Sequence, residues 1–501
     1  MNDNTTEANP MTQHKRGLAR TQTALLPAAV EDYVGEHDLV RVIDEYVNGL
    51  NMAGLGFKHA VVHDEGRPPY APDDLLKLYL YGYWNRIRAS RKLEAECRRN
   101  LEVMWLLGNL IFDHKTIASF RRDNAKPFKA VCAQFVQFLR EAQLVGGDAP
   151  VVAIDGSKFK ASAAKASLVS AEQAAKQRAK IEARITEYLR QLDEADRSNE
   201  GEGEPAPERI EAALKQLRDR DKALQQAQVE LAVQAESAAN KEATPRVGLT
   251  DPDCVMLTGK GAAIAGYNVQ QAVDAQHKLI VAHEVTTQRN DHGSLEPMAK
   301  AAQEALQTET LTAITDSGYM NGAQAKACED RGITPVVPMA KVSNTRNDGL
   351  YTKTQFVYDK LTNTYRCPAG QLLAHFKRDS GKQTDYYETR ACADCALKSR
   401  CTQSARRSIA RSWYADAAER AHERTQERGL ITLRSATAEH PFGNLKAMMP
   451  GGFLLRTLPK VQGEMALTVL TYNLKRVLSI LGFEALMRKL MMMQALGYAS
   501  G

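Results

Sequence analysis

The pattern of apolar and polar positions divides the chain into a helical first third, a strand-rich middle and a mixed last third. Between residues 30 and 144 apolar residues recur at helical spacing, with helices predicted after Pro72 and over about Ser90–Leu107. A glycine-containing break then leads to a polar helix that carries Arg121 and Arg122. Helix, break and basic helix are typical of a helix-turn-helix, although any small helical domain can show them. The two arginines are therefore predicted to contact DNA phosphates.

The middle of the chain changes to strand-like patterns. A buried strand over residues 150–154 is predicted to stop at Asp155-Gly156, and another over 310–315 to stop before Asp316. The other predicted elements here are a strand hairpin over 266–274 and 278–285, helices over 294–306 and 322–331, and a strand over 333–338. This order of strands and helices predicts a mixed α/β sheet rather than a barrel or a bundle.

An insertion separates the first predicted strand from the others. Residues 163–240 are rich in Ala, Glu, Lys, Arg, Gln and Leu, and a polar breaker over 198–205 divides two helical stretches, Leu168–Arg197 and Glu208–Ala239. The pattern predicts an antiparallel helical hairpin, a protruding coiled-coil arm. The plainest interpretation of its role is a solvated spacer without chemistry.

Charge and hydropathy limit the classes of function. Residues 1–20 are polar and predicted to be disordered, without the apolar stretch of a signal peptide, and no run of about 18 uncharged apolar residues follows. These features predict a cytoplasmic protein without a membrane partner. Residues 340–501 contain 25 Lys and Arg against 13 Asp and Glu, a net charge of +12, whereas the whole chain has +6. The asymmetry favours a polyanionic partner such as nucleic acid.

Three acidic residues stand out by their context. Asp155 and Asp316 each follow a predicted buried strand, and ligands of open α/β sheets bind at such strand ends. Glu439 begins a run that ends at Lys446, seven positions on, so both would project from one helix face. Together the carboxylates could hold two divalent cations about 3.5–4 Å apart, and oxygen ligands favour Mg²⁺ or Mn²⁺. Taken singly, an Asp-Gly is usually a turn and the Glu439 run a polar helix surface.

The eight cysteines fall into two groups. Four of them are isolated in apolar or helical contexts and are predicted to be small core residues: Cys97, Cys132, Cys254 and Cys328. The other four form a cluster in the last third: Cys367, Cys392, Cys395 and Cys401. A C-x2-C pair with two further cysteines suits one structural zinc ion, although a strong zinc ribbon would have two such pairs. Reduced or redox-active thiols are the alternative.

Short motifs in a fixed order carry a family resemblance. They are Ile154-Asp155-Gly156-Ser157-Lys158, Thr250-Asp251-Pro252-Asp253, Gly266-Tyr267-Asn268-Val269-Gln270, Thr315-Asp316-Ser317-Gly318-Tyr319, the run from Glu439 to Lys446, and Leu470-Thr471-Tyr472-Asn473-Leu474-Lys475-Arg476. In this order the chain resembles a DDE-type transposase of a bacterial insertion sequence. Residues 67–123 also resemble the helical domain that precedes the catalytic core in these enzymes.

The resemblance implies a fold and a set of site residues. The fold is an RNase H-like mixed sheet, preceded by an all-α helix-turn-helix-like domain and interrupted by the helical hairpin and a small cysteine-rich module. The catalytic triad would be Asp155, Asp316 and Glu439, with Asp155 bridging two Mg²⁺ or Mn²⁺ ions and each of the others completing one site. DNA phosphates would be contacted by Lys446, Arg434 and Lys158. The family often has a tyrosine shortly before the arginine, whereas Thr432 and Leu433 stand here.

These expectations divide the chain into segments. They are a tail (1–20), a helical DNA-binding domain (21–149), a first core part (150–162 and 241–339), the helical hairpin (163–240), the cysteine-rich insertion (340–425) and a second core part (426–501). The implied activity is metal-dependent cleavage and strand transfer at terminal inverted repeats. Double-stranded DNA of the repeats and of the target is the partner, and a homodimer or higher synaptic complex holds two ends. The alternatives are an inactive or co-opted DNA-binding protein and a metal-dependent nuclease with another nucleic acid substrate.

Overall fold

The structure of the chain is a computed structural model. It describes residues 29–62, 68–197, 207–237, 245–258, 262–339 and 349–495. The predicted disordered tail, residues 1–20, lies outside these ranges. No helix in the described ranges is long and apolar enough to cross a membrane.

Strands and helices alternate in the pattern that the sequence predicts for a mixed α/β protein. The strands are β1 (Val151–Lys160), β2 (Leu168–Val169), β3 (Val247–Gly248), β4 (Val255–Leu257), β5 (Ile264–Asp274), β6 (Ile280–Thr286), β7 (Leu311–Ile314), β8 (Ile333–Val336), β9 (Val357–Asp359), β10 (Thr364–Arg366), β11 (Leu372–Asp379), β12 (Thr384–Glu388) and β13 (Ser408–Ser412). The helices are α1 (Leu39–Asn48), α2 (Pro72–Trp84), α3 (Ser90–Arg99), α4 (Leu101–Leu106), α5 (His114–Asp123), α6 (Ala125–Glu141), α7 (Ala171–Arg197), α8 (Pro207–Ser237), α9 (Leu295–Leu306), α10 (Gly322–Asp330), α11 (Ala415–Glu423), α12 (Leu430–Met448), α13 (Leu458–Leu481) and α14 (Phe483–Ala495).

The mixed sheet has the strand order β4-β5-β1-β7-β8, and β6 also pairs with β5. Strand β1 is antiparallel to β5 and parallel to β7, and β7 is parallel to β8. Helix α9 lies between β6 and β7 in sequence, and α10 lies between β7 and β8, as parallel pairing requires a crossover. The predicted hairpin is confirmed as β5 and β6.

Strand β1 is longer than the sequence predicts. The predicted strand stops at Asp155, but β1 continues to Lys160, because its pairing with β5 extends to Lys160 opposite Gly266. Its pairing with β7 ends earlier, at Ala153 opposite Ile314. Asp155 therefore lies within β1, just beyond the end of the parallel pairing.

The N-terminal helices share one core with the C-terminal helix α13. Helix α13 packs against α2, α5 and α6, and a single hydrophobic cluster includes residues of these helices and of the mixed sheet. Val131 and Phe135 of α6 and Leu467 of α13 are among its buried members. The predicted helix over Ser90–Leu107 is divided at Asn100, whose side chain caps the N-terminus of α4. The helical region is thus continuous in packing with the rest of the protein.

Helices α7 and α8 form the arm, a pair about 40 Å long at 1.5 Å per residue. Their contact has its own small apolar cluster, which includes Ile181, Leu224 and Leu231. Arg178 of α7 bonds to Asp221 of α8 at 2.8 Å, and the short strands β2 and β3 close the base of the arm.

A second sheet follows the first. It is an antiparallel sheet of β9 to β13 in the order β13-β12-β11-β10-β9. Its core is small and partly aromatic: Phe356, Tyr365, Leu373, Tyr387 and Ile409. The clustered cysteines lie beside this sheet.

Candidate active site

The two parallel strands bring Asp155 and Asp316 together. Strands β1 and β7 are in register at Ala153 and Ile314, and each aspartate is two residues further along its strand direction. Continuing the register places Asp155 opposite Asp316. The prediction that both acids lie at one edge of the sheet is therefore consistent with the pairing, although Asp155 is not a strand end.

Arg434 of α12 lies between the two carboxylates. Its Nη2 is 2.9 Å from Asp155 Oδ1 and 3.6 Å from Asp316 Oδ2. The Arg434 and Asp155 side chains are 13% and 16% exposed, while that of Asp316 is 46% exposed. The Arg434 Nε is buried and finds no hydrogen-bond partner within the described residues. We call this contact the Arg434 bridge.

The environment of Asp155 favours its protonated form. Burial raises the pKa of Asp155 to about 6; the neighbouring Asp316 and Asp291 carboxylates add to this rise, whereas Arg434 and the Gly156 backbone N–H oppose it. The Gly156 N–H donates to Asp155 Oδ1 at 2.9 Å. Asp316 has a different local partner, since its Oδ1 accepts the Gly318 N–H at 2.8 Å.

A polar network centred on Asp291 lies behind Asp155. Asp291 Oδ1 accepts hydrogen bonds from Asn268 Nδ2 at 2.8 Å and Gln270 Nε2 at 2.6 Å, and Gln270 Oε1 accepts from Tyr319. A Cβ at Gly156 would stand 2.4 Å from Gln270 Nε2 and 2.5 Å from Asp291 Oδ1. The glycine after Asp155 thus allows close packing within a strand rather than a turn. The signal in the sequence was the pair of amides at alternate positions of β5, Asn268 and Gln270, which point to one face of the sheet.

Glu439 is on α12, the same helix as Arg434, but it does not join the aspartate pair. It is exposed, and no hydrogen bond or ion pair connects it with Asp155 or Asp316 in the described part of the chain. The preceding residue, Ala438, is buried, and its carbonyl oxygen accepts from Gln271 Nε2 of β5 at 3.0 Å. Glu439 therefore lies beside the face that contacts the sheet.

Lys446 lies near strand β1, and Lys158 is a residue of that strand. Lys446 is exposed, with its Nζ 5.8 Å from the centre of the Phe159 ring in β1. Lys158 Nζ donates to the carbonyl oxygen of Thr258. The Phe159 and Phe442 rings, 6.3 Å apart, pack α12 against β1 and so position Lys446 near the strand.

Arg121 is buried whereas Arg122 is exposed. This difference corrects the prediction that Arg121 contacts DNA phosphates. Arg121 is 5% exposed, donates to the Arg88 carbonyl oxygen at 3.0 Å, and lies over the Tyr79 ring. Its guanidinium cannot reach a DNA phosphate in this structure. Arg122 is exposed on α5 and pairs with Asp123 at 2.7 Å. It remains a predicted DNA contact.

The predicted metal ligands have suitable chemistry but not a suitable arrangement. Carboxylate oxygens are the ligands that Mg²⁺ and Mn²⁺ prefer. Among the described residues, however, no group of three or more His, Cys, Asp or Glu side chains is placed to hold a metal ion. Arg434 lies between two of the acids, and Glu439 is apart from them. The three acids do not form a metal site in this conformation.

The four clustered cysteines line one cavity beside the second sheet. Cys367, Cys392, Cys395 and Cys401 are all free thiols and partly buried. Burial, followed by the neighbouring thiols, raises the pKa of Cys401. The arrangement brings the predicted zinc ligands to one place, but they too fall short of a metal-holding group in the described residues. The geometry does not support the zinc prediction.

Two segments of the chain match families of transposases. Residues 28–123 match the family described as "Transposase domain (DUF772)", and residues 366–478 match the "Transposase DDE domain" family. Both are transposase families, and the second is of the DDE type. The second match contains Glu439, Lys446 and Arg434, whereas the two aspartates lie outside both matched segments.

Comparison with solved structures finds a piggyBac transposase synaptic complex with hairpin DNA. The two chains share 10% sequence identity, and the match covers 92% of this transposase and 78% of the other chain with a TM-score of 0.30. No curated protein matches the chain.

Proposed function

We propose that this transposase cleaves DNA at the terminal inverted repeats of an insertion sequence and transfers the freed strand to target DNA. The observation that carries the proposal is the meeting of Asp155 and Asp316 on neighbouring parallel strands, with α12 of the matched DDE segment bound across them. Glu439, five residues after Arg434 on that helix, is the third proposed member of the triad.

We also propose that the mixed sheet is an RNase H-like core. Support comes from its five main strands, which combine an antiparallel half, β6, β5 and β1, with a parallel half, β1, β7 and β8. The arm enters between β1 and β5, and the cysteine-bearing sheet enters between β8 and α12. In this proposal both are insertions that leave the core sheet intact.

The proposed activity needs divalent ions, with two Mg²⁺ or Mn²⁺ ions as the prediction. When bound, such a pair activates the attacking oxygen and stabilises the leaving oxygen of a phosphodiester. The residues that would hold them are Asp155, Asp316 and Glu439. Because Arg434 lies between two of these acids, the conformation described here is not the one that holds metal.

The proposed partner is double-stranded DNA. The exposed cations Lys446 and Arg122 and the partly buried Lys158 are proposed phosphate contacts, and the net charge of +12 over residues 340–501 supports a polyanionic partner. Arg434 is a further proposed phosphate contact once it leaves the aspartates. A homodimer or higher synaptic complex is proposed because two transposon ends must be held together.

A cleavage assay tests the function. The full chain is incubated with labelled duplexes from the ends of its element and Mg²⁺, beside the variants Asp155→Asn, Asp316→Asn and Glu439→Gln. Glu427→Gln, an exposed acid just before α12, is the matched control. We expect repeat-specific nicking in the wild type and the control, and a loss of about 10³-fold or more in the three variants.

The other outcomes select the alternatives. Binding of the repeats without cleavage under any metal would show a co-opted DNA-binding protein. Cleavage that ignores the repeat sequence would show a general nuclease. Cleavage that survives Glu439→Gln would remove that residue from the triad.

The zinc ion stays a prediction with its own test. Metal analysis of the purified full chain, and of the Cys392→Ser variant, should find one zinc per wild-type chain and a reduced content in the variant. A wild-type chain that is folded and free of zinc would leave reduced thiols as the correct interpretation.

A further inference from the structure

The Arg434 bridge offsets part of the negative charge of the two aspartates, at the place where a metal ion would otherwise be attracted. One guanidinium nitrogen is within 3.6 Å of both carboxylates, and two of the three side chains are largely shielded from water. Shielding strengthens the attraction between such charges, because the effective dielectric constant is lower than in water. A cation that competes for these oxygens must first displace Arg434.

The geometry of α12 makes the positions of Arg434 and Glu439 mutually dependent. Successive residues of an α-helix are about 100° apart, so residues five positions apart differ by about 140° around the axis. With Arg434 aimed at the aspartates and Ala438 against β5, Glu439 is turned to the exposed flank. A helix that turns Glu439 toward the pair turns Arg434 away from it.

Helix α12 also contains a weak point between these residues and its C-terminus. Pro441 lies inside the helix and has no N–H to donate to the carbonyl oxygen of Thr437. The buried hydroxyl of Thr437 finds no partner among the described residues. Helices bend at such positions, so the segment that bears Glu439 can change its orientation without unfolding the whole of α12.

We propose that the Arg434 bridge is an autoinhibitory contact, in which Arg434 closes the aspartate pair to divalent metal ions in the DNA-free protein and opens it when its guanidinium moves to a DNA phosphate. A DNA phosphate carries one negative charge and offers the guanidinium a bidentate partner in place of the two carboxylates. Because of this contact, metal binding depends on the presence of DNA. This inference rests on the proposed function, because it assigns a regulation to the same site.

Direct measurement of metal binding tests the proposal without DNA. Free Mn²⁺ is followed by electron paramagnetic resonance while the DNA-free full chain is titrated, for the wild type, Arg434→Gln and Arg434→Lys. Arg428→Gln, an exposed arginine just before α12, is the control for loss of one positive charge. We expect Arg434→Gln to bind Mn²⁺ about tenfold more tightly or better than the wild type, Arg434→Lys to fall between them, and the control to match the wild type.

Two further variants locate the binding and protect against misfolding. Adding Asp155→Asn to Arg434→Gln should abolish the gained Mn²⁺ affinity, and the thermal midpoint of Arg434→Gln should rise when Mn²⁺ is added. Equal affinity in the wild type and Arg434→Gln, or gained affinity that persists in the double variant, would overturn the proposal. Failure of the cleavage assay while Arg434→Gln gains Mn²⁺ affinity would instead count against the proposed function.

Discussion

Two of the buried charge clusters in the described residues differ in how fully their carboxylates are hydrogen-bonded. One surrounds Glu464 of α13, where the N-terminal helices meet the C-terminal segment. The other is the Arg434 bridge at the mixed sheet. Both combine arginine with acid inside the protein, but of the two only Glu464 has both carboxylate oxygens hydrogen-bonded to described residues.

The Glu464 cluster is saturated. Glu464 is fully buried, and its carboxylate accepts the backbone N–H groups of Leu454 and Leu455, the Tyr83 hydroxyl and Arg88 Nη1. Arg88 also donates to the carbonyl oxygens of Gly452 and Pro450. Arg121 lies behind them and donates to the Arg88 carbonyl oxygen. With every carboxylate oxygen engaged, this cluster has a structural role.

The aspartate pair is under-coordinated by comparison. Asp155 accepts one backbone N–H besides its contact with Arg434, and the side chain of Asp316 is 46% exposed. The raised pKa of Asp155 reflects burial that its hydrogen bonds do not offset. The comparison shows that a buried acid that stabilises the fold has more hydrogen bonds to its carboxylate than one that is left free for a ligand.

The largest expected effect is the loss of stability on removing the Glu464 charge. Glu464→Gln leaves Arg88 and Arg121 buried without their acid, and breaking a buried ion pair costs about 3–5 kcal/mol. Urea denaturation of the full chain measures the change. Glu484→Gln, on the surface of α14, is the control and should change stability by less than about 0.5 kcal/mol. A loss below about 1 kcal/mol for Glu464→Gln would erase the distinction between the two clusters.

A smaller and pH-dependent effect is expected at Asp155. Its pKa in the folded protein, about 6, exceeds the ordinary 3.8, so the folded state holds the proton more tightly and stability falls as pH rises from about 4 through 6. Asp155→Asn cannot ionise and escapes this loss. In chelator, its stability relative to the wild type should rise by roughly 2.4 kcal/mol between pH 4 and pH 7, from a shift of about two pKa units.

The measurement is urea denaturation at a series of pH values with excess EDTA. The Glu427→Gln variant shows how much of any change follows from removing a surface acid. A stability difference between Asp155→Asn and the wild type that is flat with pH would contradict the description of Asp155 as an under-coordinated acid.

The smallest expected effect separates the two adjacent arginines of α5. Arg122→Ala removes an exposed cation, so stability should change by only about 0.5 kcal/mol. Loss of one phosphate contact should weaken DNA binding at all sequences and reduce the slope of log K against log salt by about 1. Fluorescence anisotropy with labelled duplexes at several salt concentrations measures both. An unchanged slope would show that Arg122 does not contact DNA.

Much of the mixed sheet could be predicted because its periodicity is local. The hairpin of β5 and β6 and the placement of Asp316 after β7 follow from apolar runs that end at polar residues. The end of β1 could not be predicted in this way. Asp-Gly usually marks a turn, but Gly156 is in a strand because β1 pairs with β5 as far as Lys160. The Gln270 and Asp291 side chains leave no room for a Cβ at this position.

The site was predictable in its residue types but not in its contacts. Asp155, Asp316 and Arg434 stand out by motif, whereas the bridge between them depends on how α12 lies on the sheet. Arg121 and Arg122 are alike in sequence, and only tertiary packing buries one and exposes the other. The second sheet was mostly missed because its strands are short and partly exposed, which weakens their apolar alternation.

The shared core of the N-terminal helices and α13 also delays the completion of folding during synthesis of the protein. Arg88 and Glu464 are 376 residues apart in sequence, and α13 ends at Leu481. At about 5–20 residues per second, the ribosome needs roughly 25–100 s to deliver that helix. Throughout this time the apolar faces of α2 and α6 that α13 will cover lack their partner. Nascent chains thus expose these faces to chaperones until α13 has been synthesised.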